Sequence, residues 1–230
     1  MISSLVEQQL SAFAAKMGND AVASCIEAYV EHSHYPGPVV SIVGASKRGR
    51  SSLFSLMSGT EAPDEGNGIC AAVGPAWTGI IWRALSTDRG VEHRQVDLPA
   101  GLMIVDCPAL DVPSASESID RAVAISDLII MAVQTTQPAG LEEVRFATER
   151  IQGRPAVLVI TKADLVDDEE LLEAIGTVMR AYADVLWQAV LVAGSDVPKE
   201  GRCGLQSFTE WWAEQGITCA LESRNVVVQV

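Results

Sequence analysis

Within nine residues, Gly44-Ala45-Ser46-Lys47-Arg48-Gly49-Arg50-Ser51-Ser52, the sequence sets three cations and three hydroxyls around two glycines. The segment follows an apolar run, Val39 to Val43, and opens a helical stretch from Ser51 to Met57. That is the setting of a phosphate-binding loop. Glycines let the chain curl so that successive backbone N–H groups point inward, and the helix N-terminus adds partial positive charge. Ser51 stands where a hydroxyl would ligate Mg2+, and Arg50 stands where such loops usually carry Lys. A guanidinium also neutralises phosphate oxygens, but its planar fork demands a different geometry at the β- and γ-phosphates. The competing reading is a glycine turn that simply joins strand to helix.

Two more signals stand at strand ends. Leu102 to Val105 runs into Asp106-Cys107-Pro108-Ala109. A carboxylate there can hold a Mg2+ water, although Asp is also a common strand-ending residue. Ile160 runs into Thr161-Lys162-Ala163-Asp164. Asp164 can accept hydrogen bonds from the ring N–H and the amino group of guanine, while the Lys162 stem packs along the ring and ribose. Adenine lacks that amino donor, so a carboxylate here selects guanine. A strand followed by a capped helix is the bland alternative for the tetrapeptide alone, and the chain order of the three motifs weighs against it.

These residues need strands that end together. Besides Val39–Val43, apolar strands are predicted at 102–105, 128–133, 156–160 and 189–192, with helices at 116–125, 141–151, 169–186 and 205–214. Near-continuous apolar strands alternating with helices predict an α/β fold, a mostly parallel sheet covered by helices on both faces. Residues 78–85 and 91–96 read as an added strand pair around a polar turn, and 225–230 as a strand or ordered tail. Residues 1–35 form an N-terminal helical segment, two short helices or one bent one, ended by Pro36-Gly37-Pro38; residues 36–230 form the main domain.

The 230 residues carry 16 Lys plus Arg against 30 Asp plus Glu, a formal charge of −14. So acidic a chain is repelled by nucleic acid and by anionic lipid, which predicts no nucleic-acid partner and only indirect membrane contact. No run reaches the ~18 apolar residues of a membrane span, and the N-terminus lacks the pattern of a secretory signal. Five scattered cysteines without a C-x-x-C pair suit reduced thiols. Together these predict a cytoplasmic protein.

The motifs resemble those of guanine-nucleotide-binding domains. Gly-x-Ser-Lys-Arg-Gly-Arg-Ser-Ser-Leu with Thr-Lys-Ala-Asp is most similar to the bacterial dynamin-like GTPases, over residues 36 to 216. The resemblance implies a P-loop GTPase fold that binds GTP or GDP with Mg2+ and hydrolyses GTP, even if slowly. It implies Gly44 to Ser52 as the phosphate loop, Thr78 as the switch threonine and a Mg2+ ligand, with Thr60 as the fallback, and Ser51 and Asp106 as further Mg2+ ligands. Asp106 to Ala109 becomes the second switch motif, Thr161, Lys162 and Asp164 the guanine motif, and Ala193-Gly194-Ser195 a loop against the base. A segment before the domain and dimerisation across the nucleotide face, homo- or heterotypic, are also implied.

The departures bear on catalysis. Arg50 replaces Lys, Ala109 stands where a glycine amide contacts the γ-phosphate, and Leu110 stands where Ras-type GTPases place a water-orienting Gln. Lys47 occupies the place of a serine that helps dynamins hold a monovalent cation, so its ammonium can supply that charge. Lys47, Arg50 and Thr78 are thus the candidate catalytic residues. The alternative is a degenerate pseudo-GTPase that acts as a binding or regulatory module. A P-loop kinase using ATP is disfavoured by Asp164. Among lesser features, Asp167 to Glu170 reads as a helix start, Glu142, Glu143 and Glu149 as a solvated face, and Cys107 as a buried small residue; His32 and His34 make a poor metal site. Trp211 and Trp212 are adjacent on one helix and cannot both face inward.

Overall fold

Consecutive apolar, largely β-branched residues make strands buried on both faces. Val39–Val43 (β1), Met103–Asp106 (β4), Leu128–Gln134 (β5) and Ala156–Thr161 (β6) have almost every residue buried. The computed structural model describes residues 34–61, 68–77, 91–185, 191–192 and 205–228, together with Gln9, Ala12, Phe13, Lys16, Val30 and Leu85. Adding Ile69–Val73 (β2), Val91–Gln95 (β3) and Leu191–Val192 (β7) gives a seven-stranded sheet among these residues, in the order β3-β2-β4-β1-β5-β6-β7. β1, β4, β5, β6 and β7 are mutually parallel, and β2 runs antiparallel to β4.

Alternation along each strand sends side chains to two cores. Val39, Val43, Ile129, Met131, Leu158 and Ile160 pack on one face with Ile119, Val123, Ile151 and Val178. Those come from Ser116–Ala124 (α1), from the π-helical turn Ala147–Ile151 that continues Leu141–Phe146 (α2), and from Asp168–Ala181 (α3). Val40, Ile42, Ile130, Val157 and Val159 pack on the other face with Leu53, Phe54, Met57, Phe208, Trp212 and Ala220. These belong to Arg50–Ser58 (αP), to Leu205–Trp211 (α4) with its π-helical extension Trp212–Gly216, and to Ile217–Val228 (α5). The expected sheet covered on both faces is present. Asp167 starts α3 as the sequence indicates, in a reciprocal capping box with Glu170.

Three expectations need correction. β3, read as half of a strand pair with 78–85, lies parallel beside β2, and Leu85 is helical; residues 78–84 fall outside the described residues. Of the strand or ordered tail expected from Asn225, the strand does not form, because α5 continues as helix to Val228; valine's strand preference is a weak local bias that a continuing helix overrides. Glu143 is not on a solvated face but 1% exposed. Trp212 is buried and Trp211 only partly so, which resolves the pair as expected. Of the first 33 residues, Gln9, Ala12, Phe13, Lys16 and Val30 are described, and each is helical. Among the described residues no helix is long and apolar enough to cross a membrane.

Candidate functional site

The site forms where β1, β4 and β6 end. After Val43 the chain turns at Gly44, where a Cβ would lie 2.5 Å from the Ala132 carbonyl oxygen, so only glycine lets the loop leave β1 this close to β5. Ala45 is half-buried, Ser46 and Lys47 are exposed, and Lys47 takes a left-handed conformation at φ 61°. Gly49, at φ 83°, precedes αP without a side-chain cap, and no acidic residue occupies the first turn. The first N–H groups of αP therefore face outward from an uncapped, positive helix end, as an anion requires. Ser51 is half-buried and Ser52 exposed in that turn.

The three cations of the loop have different fates. Lys47 stays exposed. Arg48 turns inward: its Nε donates to Glu143 Oε1 at 2.7 Å and its Nη2 to Oε2 at 3.2 Å, both side chains being buried. This forked pair ties the loop to α2 and removes Arg48 from contact with a ligand. Arg50 bends toward the end of β4, where its Nη1 donates to the Cys107 carbonyl and lies 3.5 Å from Asp106 Oδ1. Its Nε is buried with no acceptor.

Asp106 is buried, and Ser51 Oγ donates to its Oδ2 at 2.8 Å. Burial pushes the Asp106 carboxyl above the usual range, against the opposing pull of Arg50 and the Ser51 hydroxyl. Ser51 and Asp106 are the right donor types for Mg2+. The Arg50 guanidinium, however, stands against the same carboxylate, so the arrangement does not fit a divalent ion beside it. Ala109 is buried, and the Leu110 amide donates to the Gly44 carbonyl at 3.2 Å.

Sequence reasoning missed Asp111. Its Oδ1 accepts the Ser46 amide at 2.9 Å and the Ser46 hydroxyl at 2.8 Å, latching the segment after β4 onto the loop. Partial burial raises the Asp111 carboxyl, but the bonds from Ser46 outweigh it and hold it below the ordinary value.

The third motif braces the loop. Thr161 Oγ lies 2.7 Å from the Arg48 carbonyl and 3.0 Å from that of Val133, one hydroxyl proton serving two buried acceptors. Lys162, left-handed at φ 59°, extends its Nζ to the Lys47 carbonyl at 2.6 Å and to Gln134 Oε1 at 3.0 Å. Asp164 is half-exposed in the 3-10 turn Ala163–Leu165 that follows. The loop, the end of β4 and the end of β6 are thus joined by direct hydrogen bonds. Thr78, Gly194 and Ser195 lie outside the described residues; Thr60 sits beyond αP, its hydroxyl 2.9 Å from that of Ser58. Among the described residues no cluster of His, Cys, Asp and Glu could hold a metal ion.

No family model and no curated protein sequence matches the chain. Solved structures do. Two structures of an oligomerised bacterial dynamin pair, described as a mechanism for long-range sensing and tethering of membranes, superpose with TM-scores of 0.59 and 0.57. Identity is 12% and 11%, over 96% and 94% of this chain but 42% and 41% of theirs. The fold is that of a P-loop GTPase. Era in complex with MgGDPNP and a segment of 16S ribosomal RNA matches at a TM-score of 0.50 and 16% identity, over 70% of this chain and 52% of its own. The chain therefore spans about half or less of each of these proteins, and what it shares with them is the fold.

Proposed function

We propose that this chain is a guanine-nucleotide-binding switch domain of the dynamin-like kind. The observation that carries the reading is the hydrogen bonding of three strand-end motifs to one another: an uncapped αP behind a curled loop, Asp106 at the end of β4, and Thr161 with Lys162 clamping the loop, followed by Asp164. The loop amides and the N-terminus of αP hold the polyphosphate, Asp164 reads guanine, Lys162 covers the base, and Gly194 and Ser195 flank it. Thr78 and the segment from Cys107 to Asp111 sense the terminal phosphate. Dimerisation through the nucleotide face belongs to the same reading.

Two specific observations favour slow or absent turnover. Arg50 is engaged at Asp106 and Cys107, and Asp111 sets a carboxylate on the loop at Ser46. Catalysis of phosphoryl transfer depends on positive groups at the transferring phosphate, and a carboxylate held on the loop opposes them. Denaturing the freshly purified chain and chromatographing what it releases tests binding: the reading expects GDP or GTP and is overturned if neither copurifies nor binds on addition. Phosphate release from GTP then separates hydrolase from binder.

A further inference from the structure

We infer that Arg50 is a built-in substitute for the divalent cation, so that this domain holds a nucleoside diphosphate without needing Mg2+. The inference rests on the nucleotide reading above and concerns what neutralises the polyphosphate once it is bound.

The argument begins with the position of the guanidinium. In the 44–52 loop, Arg50 opens αP and Ser51 follows it. Ser51 and Asp106, the two candidate ion ligands among the described residues, already bond each other at 2.8 Å. Arg50 Nη1 sits 3.5 Å from the other oxygen of that carboxylate and donates to the backbone carbonyl one residue further along. The Arg50 and Asp106 side chains are only 13% and 7% exposed, so water screens the pair poorly. A divalent ion beside Asp106 would face a fixed positive charge across the same carboxylate, and a guanidinium does not deprotonate to make way. An ammonium in this place is a compact charge on a flexible stem that can swing to the phosphates. The planar fork, anchored at Cys107, cannot do so while keeping its bonds.

The remaining groups suit a diphosphate. The guanidinium stays at the head of αP as a fixed positive charge. Lys47 is exposed at the turn of the loop, and the helix end adds roughly half a unit charge. Arg48 contributes nothing, being committed to Glu143. Without a metal, that set balances a diphosphate better than a triphosphate, whose extra phosphoryl group would meet Asp111 at Ser46.

The test is equilibrium binding of a fluorescent GDP analogue to the full chain, in millimolar MgCl2 and again in excess EDTA. The wild-type Kd is expected to change by less than about threefold between the two buffers, and for Arg50→Lys, whose ammonium frees Asp106, EDTA is expected to weaken binding about tenfold or more. A wild-type Kd that rises about tenfold or more in EDTA overturns the inference while leaving the nucleotide reading intact. Metal independence that persists in a folded Arg50→Lys, checked by its thermal melt, overturns the assignment to Arg50. Absence of binding in both buffers overturns the nucleotide reading itself. Should Arg50→Lys fail to fold, the wild-type comparison still decides the metal question.

Discussion

Replacing Glu143 by alanine removes one half of the ion pair that ties the phosphate loop to α2. Both side chains are buried, at 7% and 1% exposure, and the contact is forked, at 2.7 and 3.2 Å. The truncation leaves the Arg48 guanidinium buried and uncompensated, a situation that costs about 3–5 kcal/mol. For a chain of this size that corresponds to a fall in melting temperature of roughly 6–20 °C. The assay is urea denaturation with an unchanged slope, so that a shift in midpoint reads as stability. The double variant Arg48→Met with Glu143→Leu removes both charges and fills the space, and it should recover most of the loss, because apolar replacement of a buried pair is often neutral. A single variant within about 1 kcal/mol of wild type would refute the reasoning, since it would mean the Arg48 charge finds water or another partner.

Further expectations concern the rest of the site. Thr161→Val keeps the shape but strips the hydroxyl from two buried carbonyls; it should cost about 1–3 kcal/mol in denaturation and weaken nucleotide binding, while Thr161→Ser keeps both. Asp111 is held below the ordinary carboxylate value of 3.8 mainly by Ser46, against partial burial. A depressed carboxyl contributes above its unfolded pKa and is lost as pH falls through the folded one. The Ser46 amide resonance should therefore titrate with a midpoint under 3.8, and Asp111→Asn should abolish the transition; a midpoint at or above that value would remove the latch. Burial pushes the Cys70 and Cys107 thiols up to about 12. Both should resist alkylation of the native chain at pH 8, as mapped by mass spectrometry, and react once it is denatured; rapid native labelling of either would show the β2–β4 region to be open.

The parts of this protein visible in its sequence are those specified locally. β1 spans 39–43 as its largely apolar run indicates, and β4, β5 and β6 lie within a residue of expectation at each end, because short, mainly apolar and β-branched runs have few other solutions. β2 escaped notice because Ile69-Cys70-Ala71-Ala72-Val73 is made largely of small residues, chosen to fit between β3 and β4 rather than to favour a strand by themselves. β3 therefore has a neighbour that no local pattern announces.

The site divides the same way. Glycines and strand-end motifs marked the loop, Asp106 and Thr161, but the bonds that join them link residues far apart in the chain. Glu143 lies 95 positions from Arg48 and is flanked by Glu142, so no local pattern separates it from a solvated acid. Asp111 lies 65 positions from Ser46, and only the chain's return beside Gly44 brings them together. The sequence also presents Lys47, Arg48 and Arg50 as one basic cluster. Packing sends them to three different environments, and that separation gives Arg50 its role.

Backbone amide NMR of the 47–51 segment during titration with GDP, with ADP as the control, tests the account most directly. The account predicts large, saturable shifts of these amides with GDP, weak or no shifts with ADP, and loss of that preference in Asp164→Ala. GDP that leaves the 47–51 amides unmoved, or that binds with its contacts elsewhere on the chain, would contradict it.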